Sequence, residues 1–115
     1  MTGLIYHLVP IDYWKARSLD RFYVPADFER EGFIHCTRGD EQIAVVANRY
    51  YLNDRRPWLV LVLDEQAITS EIKYEPGRDG LLYPHVYGPL NREAVIEVLP
   101  MRRDPDGVFQ PLKRS

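Results

Sequence analysis

The hydrophobic positions of this 115-residue chain fall into short blocks separated by prolines, glycines and charged residues. Residues 4–9 are rich in β-branched and aromatic side chains and predict a first strand, ended by Pro10. A short helix over 11–17 follows, with Pro10 tolerated at its first turn. Residues 22–24 predict a brief extended piece, and residues 26–31 one polar helical turn closed by Gly32. Residues 33–37 predict the second main strand. Over 40–52, Ile43, Val46, Ala47, Tyr50 and Tyr51 recur at spacings of three and four, the stripe of an amphipathic helix capped by Asp40 or Thr37.

The run from Trp58 to Leu63 is apolar without alternation, as in a central strand covered on both faces. Ile72-Lys73-Tyr74-Glu75 alternates like a half-buried strand, residues 76–80 read as a loop, and 81–83 and 85–87 are extended around Pro84. Residues 94–101 predict the last strand. From Arg102 the chain mixes Pro, Gly and basic residues and predicts a mobile tail. Six to eight short strands and two or three helices, not strictly alternating, make an α+β pattern within one domain, residues 1–115 with a core over 4–101.

Composition narrows the function classes. The chain carries 45% hydrophobic and 28% charged residues, a globular balance. A net charge of −2 argues against nucleic acid or an anionic membrane as partner. No apolar run approaches the ~18 residues of a membrane span, and no basic, then apolar leader opens the chain. A single cysteine fits a reducing compartment, so the expected location is cytoplasmic and the expected state a monomer or weak dimer.

The candidate chemistry rests on the three histidines, His7, His35 and His85, each in a strand and each beside an aromatic residue or cysteine. No phosphate loop, dinucleotide glycine turn, nucleophile elbow or paired metal-ligand motif is present, so no metal is expected. His35 and Cys36 are adjacent in a strand and point to opposite faces, which makes Cys36 a buried hydrophobe rather than an activated nucleophile. The same alternation puts Phe33, His35 and Thr37 on one face, and His85 and Tyr87 on one face. Most of the tyrosines serve packing, and the Arg55-Arg56 and Arg102-Arg103 pairs are solvated surface.

Four segments together, residues 4–10, 31–37, 47–51 and 84–90, resemble the bacterial family called domain of unknown function 952. More distantly, the order of motifs resembles the ADP-ribosyltransferase-like fold, above all its tRNA 2′-phosphotransferase branch. Tyr6-His7 matches the first-strand Tyr-His of that branch, Ile34-His35-Cys36-Thr37 its His-Leu-Ser strand, and Leu61-Val62-Leu63-Asp64 its Leu-Leu-Val-Asp strand. The resemblance implies a split mixed β-sheet with a cleft for NAD or an ADP-ribosylated group. His7, His35 and His85 would be its catalytic residues, and Thr37, Arg38, Arg49 and Tyr87 its ligand contacts, the arginines through phosphate. Leu8-Val9 stands where that branch has Gly-Thr, and His85 stands where transferases carry a glutamate, for which Glu75 and Glu93 are the nearest substitutes. The resemblance thus implies either ribosyl transfer or hydrolysis with NAD as cofactor, or a non-catalytic ligand-binding module on the same scaffold.

Overall fold

Strand β4 (Trp58–Asp64) organises the molecule. Val60, Leu61, Val62 and Leu63 are each fully buried, and their alternating side chains feed two separate cores. Leu61 and Leu63 join Ile5, Val9, Tyr23, Ile34, Val86 and Leu90 in one cluster; Val60 and Val62 join Tyr6, Ile43, Ala47, Trp58, Met101, Phe109 and Leu112 in the other. The unbroken apolar run is explained by this: each face of the strand has its own core to fill.

The computed structural model describes residues 3–113. Strand β1 (Leu4–Pro10) pairs antiparallel with β4 over its whole length, and β8 (Val95–Pro100) covers β4's other edge. A second three-stranded sheet has the order β3 (Ile34–His35), β6 (Leu82–Tyr87), β5 (Glu71–Pro76). A two-stranded ribbon joins β2 (Phe22–Tyr23) to β7 (Leu90–Asn91). Three short α-helices complete the α+β fold: α1 (Ile11–Ala16), α2 (Phe28–Glu31) and α3 (Gln42–Tyr51). All these strand pairings are antiparallel, which corrects the expected mixed sheet.

Among the described residues, backbone pairing joins the two large sheets at one residue pair. The Tyr6 N–H donates to the Thr37 carbonyl and the Thr37 N–H to the Tyr6 carbonyl, both at 2.8 Å. Continuing that antiparallel register would pair Leu8 with His35 and Pro10 with Phe33. It does not continue. Pro10 has no N–H to offer and turns into α1, while Gly32, at φ 85°, leads the other strand out of α2 from a left-handed cap. The sheets part there.

Two local expectations are corrected. Neither Asp40 nor Thr37 caps α3: the residue before the helix is Glu41, and no side chain caps it. The Asp40 carboxylate instead accepts the Tyr6 hydroxyl, and its carbonyl accepts the Leu112 N–H at 2.9 Å. The stretch after Arg102, expected to be mobile, docks as far as Leu112. Phe109 and Leu112 are buried in the second core, and the Asn48 side chain brackets the Phe109 backbone, donating to its carbonyl at 3.1 Å and accepting its N–H at 2.8 Å. Two scattered apolar anchors in a Pro- and Gly-rich stretch show no period to read.

Replacing Asn48 with Ala strips both partners from the Phe109 backbone. The expected cost is about 1–3 kcal/mol, read by urea denaturation, with earlier proteolytic cleavage after Arg102. Unchanged stability and cleavage would mean that Asn48 does not hold the segment.

Candidate functional site

The sheet split opens a cleft of about 440 Å³. One wall is β1 from Tyr6 to Pro10; the others come from Tyr13, Tyr23, Asp27, Glu31, His35, Thr37, Tyr50, Tyr51, Arg56 and Trp58. Because the Tyr6 backbone is spent on Thr37, strand alternation turns the Leu8 N–H and C=O the same way, off β4 and toward the split. The aromatic wall is ordered, with Tyr51 stacked on Trp58 at 4.2 Å between ring centroids. Its charged lining residues are two carboxylates, Asp27 and Glu31, which Arg30 approaches at 3.1 and 3.8 Å, and one guanidinium, Arg56, which Asp54 holds at 2.6 Å.

His7 is 5% exposed and spans the split. Its Nδ1 lies 2.7 Å from the His35 carbonyl and its Nε2 2.9 Å from the Tyr23 hydroxyl. A carbonyl only accepts, so Nδ1 carries the proton; in the neutral ring Nε2 then accepts from Tyr23. The imidazole thus occupies the His35 carbonyl that the Leu8 N–H would have met had the ladder continued. Burial drives the His7 pKa down from 6.5 to about 4, against the pull of the His35 carbonyl, and the ring is neutral at physiological pH. Burial likewise pushes the Tyr23 hydroxyl up, well above the ordinary phenol range.

His35 stands at the mouth, more than half exposed, with Nε2 3.0 Å from Glu31 Oε1. Its pKa is lowered, chiefly by partial burial, although Glu31 pulls the other way. His35 and Thr37 also line a second depression of about 250 Å³, together with Cys36, Arg49, Tyr50, Gly77, Arg78, Tyr83 and His85. His35 is therefore the ridge between two adjoining hollows, with its ring centroid 5.3 Å from that of His85.

The three histidines form a line rather than a single point. His7 faces the first cleft, His85 the second, and His35 both. His85 stacks on Phe33 at 4.1 Å, and its Nδ1 lies 2.6 Å from Glu75 Oε1, which also accepts the Tyr87 hydroxyl at 2.6 Å. The Tyr87 hydroxyl first, and His85 second, hold the Glu75 carboxyl below its usual range. Thr37 is buried between the hollows, and Arg49 lines the second one, bonded to Asp79 at 3.2 Å. Arg38 and Tyr87 line neither; Arg38 reaches the Tyr74 hydroxyl at 3.1 Å and Glu65 at 3.6 Å. Cys36 is buried, and burial raises its thiol pKa, so it stays protonated. Among the described residues no group of three or more His, Cys, Asp or Glu side chains is arranged to hold a metal ion. No described helix is long and apolar enough to cross a membrane.

Glu31 and Glu75 are the residues that sequence reading undervalued. Glu31 lay four positions before His35, the one signal on offer, but the turn at Gly32 hid their meeting. Glu75 reaches His85 only through the β5–β6 register, in which Lys73 sits opposite His85 and Glu75 opposite Tyr83.

His7 makes stability depend on pH. The unfolded ring takes a proton near 6.5 and the folded ring only near 4. The contribution is thus complete above pH 6.5 and lost as pH falls toward 4, by on the order of 3 kcal/mol. Urea denaturation at pH 7 and pH 4.5 should show this loss in the native protein and a smaller one in His7→Asn. An equal loss in both would remove His7 as its source. Tyr23→Phe leaves the buried Nε2 without a donor, with an expected cost of about 1–3 kcal/mol at pH 7; a stability within error of the native protein would count against the Tyr23–His7 bond.

Comparison with known proteins places the fold. The crystal structure of CC0527 from Caulobacter crescentus is 27% identical, with a TM-score of 0.81 and 93% of each chain covered. A double mutant of CC0527 gives a TM-score of 0.80 at 27% identity, again over 93% of each chain. The solution NMR structure of CC0527 gives 0.77 at 26% identity, covering 95% of this chain and 93% of that one. No curated protein matches the chain. Residues 8–98 match the family described as protein of unknown function, DUF952, and the chain belongs to that family.

Proposed function

We propose that this protein binds a nucleotide-type ligand, NAD or an ADP-ribose derivative, in the cleft where its two sheets part, on an ADP-ribosyltransferase-like scaffold. The observation that carries this reading is the split itself. It turns one backbone donor and one backbone acceptor, at Leu8, toward a hollow walled by Tyr50, Tyr51 and Trp58 and bordered by His7 and His35. A flat ring bearing a carboxamide matches that pair of backbone groups, and aromatic walls favour stacking. The carboxylates of Asp27 and Glu31 suit a cationic ring, or positive charge developing at a ribosyl carbon.

In this reading the histidines divide the work. His7, with both nitrogens engaged, positions the Tyr23 hydroxyl and the His35 strand. His35, paired with Glu31, meets the ribose hydroxyls. His85 is available through Nε2, its Nδ1 being held by Glu75. Thr37 and Arg49 join the ligand set from the floor and the far side, whereas Arg38 and Tyr87 lie outside it. The whole chain acts as one domain in a cytoplasmic monomer or weak dimer. A second reading, a non-catalytic binding module, is favoured by the occupancy of both His7 nitrogens, which leaves that ring no free site for proton transfer.

An NMR titration of labelled protein with NAD, ADP-ribose and a 2′-phosphorylated nucleotide tests the reading. Saturable shifts should gather on Leu8, His35 and Thr37, and His35→Ala should weaken binding by about tenfold. No response at millimolar ligand would remove the nucleotide reading. Release of nicotinamide from NAD would select the enzyme, and binding without turnover the module.

A further inference from the structure

We propose that the second hollow is an anion subsite, which takes the phosphate of a ligand whose ring lies in the first cleft, with Arg49 and Arg78 as its cationic partners. This rests on the nucleotide reading above and adds the ligand's direction: ring toward Trp58, phosphate across the His35–Thr37 ridge.

The charge lining each hollow decides that direction. Around the first cleft three carboxylates, Asp27, Glu31 and Asp54, stand against two guanidiniums: Arg30, which pairs with Asp27 at 3.1 Å and approaches Glu31 at 3.8 Å, and Arg56, which Asp54 holds at 2.6 Å. A phosphate there would meet net negative charge. The second hollow has two arginines and no carboxylate among its lining residues. Asp79, which holds Arg49, lies outside that lining, and its own oxygens are occupied. Oδ1 accepts the Leu81 N–H at 2.9 Å, and Oδ2 accepts the Tyr83 hydroxyl and Arg49. Asp79 fixes one end of the Arg49 guanidinium and the Tyr83 and Tyr50 hydroxyls also engage it, so the fork is held in place at the hollow, and of its five N–H groups those not so engaged can meet an anion.

Arg78 has no hydrogen-bond or ion-pair partner among the described residues and sits in the loop between β5 and β6, at the hollow's edge. That loop is held by the Gly77–Leu81 and Gly80–Gly77 backbone bonds, at 2.8 and 3.0 Å. Gly77 is required there, since a Cβ would meet the Tyr83 ring at 2.7 Å. The loop therefore lies flat on the Tyr83 ring at the edge of the hollow. The two hollows share His35, Thr37, Val46 and Tyr50, so one molecule can occupy both.

Calorimetry with two matched pairs of probes, adenosine against AMP and nicotinamide riboside against its 5′-phosphate, separates this inference from its parent. Within at least one pair, the phosphorylated probe should bind the native protein about tenfold more tightly. The Arg49→Gln/Arg78→Gln variant should abolish that advantage, so that it binds the phosphorylated and unphosphorylated members of a pair alike. Arg78→Gln alone, at an exposed side chain, should remove part of it without touching the Arg49–Asp79 bond. Arg56→Gln should leave the advantage intact. If nucleosides bind but phosphate adds nothing, or if its advantage survives in the double variant or vanishes in Arg56→Gln, the subsite is wrong and the cleft reading stands. If no probe binds at all, both fall.

Discussion

The two hydrogen bonds between Tyr6 and Thr37 set the rest of the site. They join the sheet around β4 to the sheet around β6 at a single residue on each side. A longer ladder would have closed the gap, with Leu8 facing His35 and Pro10 facing Phe33. Proline at the second of these positions cannot donate, and the left-handed Gly32 cap turns the opposite chain away. With no bridge, the sheets would have only side-chain packing to keep them in register. One bridge fixes register and leaves a wedge, and the wedge is the cleft.

A wedge in a sheet exposes backbone groups that need partners. His7 meets part of that need by giving its Nδ1 proton to the His35 carbonyl. The cost is a polar ring in a buried place, which is tolerable only because the ring is neutral and Tyr23 satisfies its other nitrogen. The same residue type meets quite different physics a few ångströms away. His35 is open to solvent and beside Glu31, and His85 is clamped between Phe33 and Glu75. Three histidines in one region thus have three separate tasks, and treating them as a single catalytic cluster would misassign His7.

Much of this was legible from local pattern. The apolar run of β4, the helix α3 and the Gly32 stop are properties of short windows and appear near where the sequence puts them, although α3 buries Ile43, Ala44 and Ala47 and leaves Tyr50 of the expected stripe exposed. Strand alternation correctly put Phe33 with His35 and His85 with Tyr87; the structure stacks these four into one cluster across β3 and β6. What was hidden depends on register between distant segments. The β2–β7 ribbon is two residues long on each side, too short for any periodicity. Phe109 and Leu112 look like tail residues until Asn48, sixty-one positions earlier, is seen to hold the backbone of the first. Of the two glutamates that the sequence offers for the third motif, Glu75 reaches His85 through a hairpin, whereas Glu31 meets His35 through a tight turn that no motif marks.

The proton chemistry of the site follows from these placements. A group that moves protons during turnover needs a nitrogen that is free and a pKa that is reachable, and His7 has neither: both nitrogens are bonded, and protonation requires a pH near 4. Tyr23 is no substitute, since burial holds its hydroxyl protonated and its proton is committed to His7. Among the three histidines, an acid–base role is therefore open only to His35 and His85. Each has a carboxylate on one nitrogen, the arrangement that orients an imidazole and steadies it when charged. His35 is the one of the three that faces both hollows. His7 acts one step back, by holding the strand that presents it.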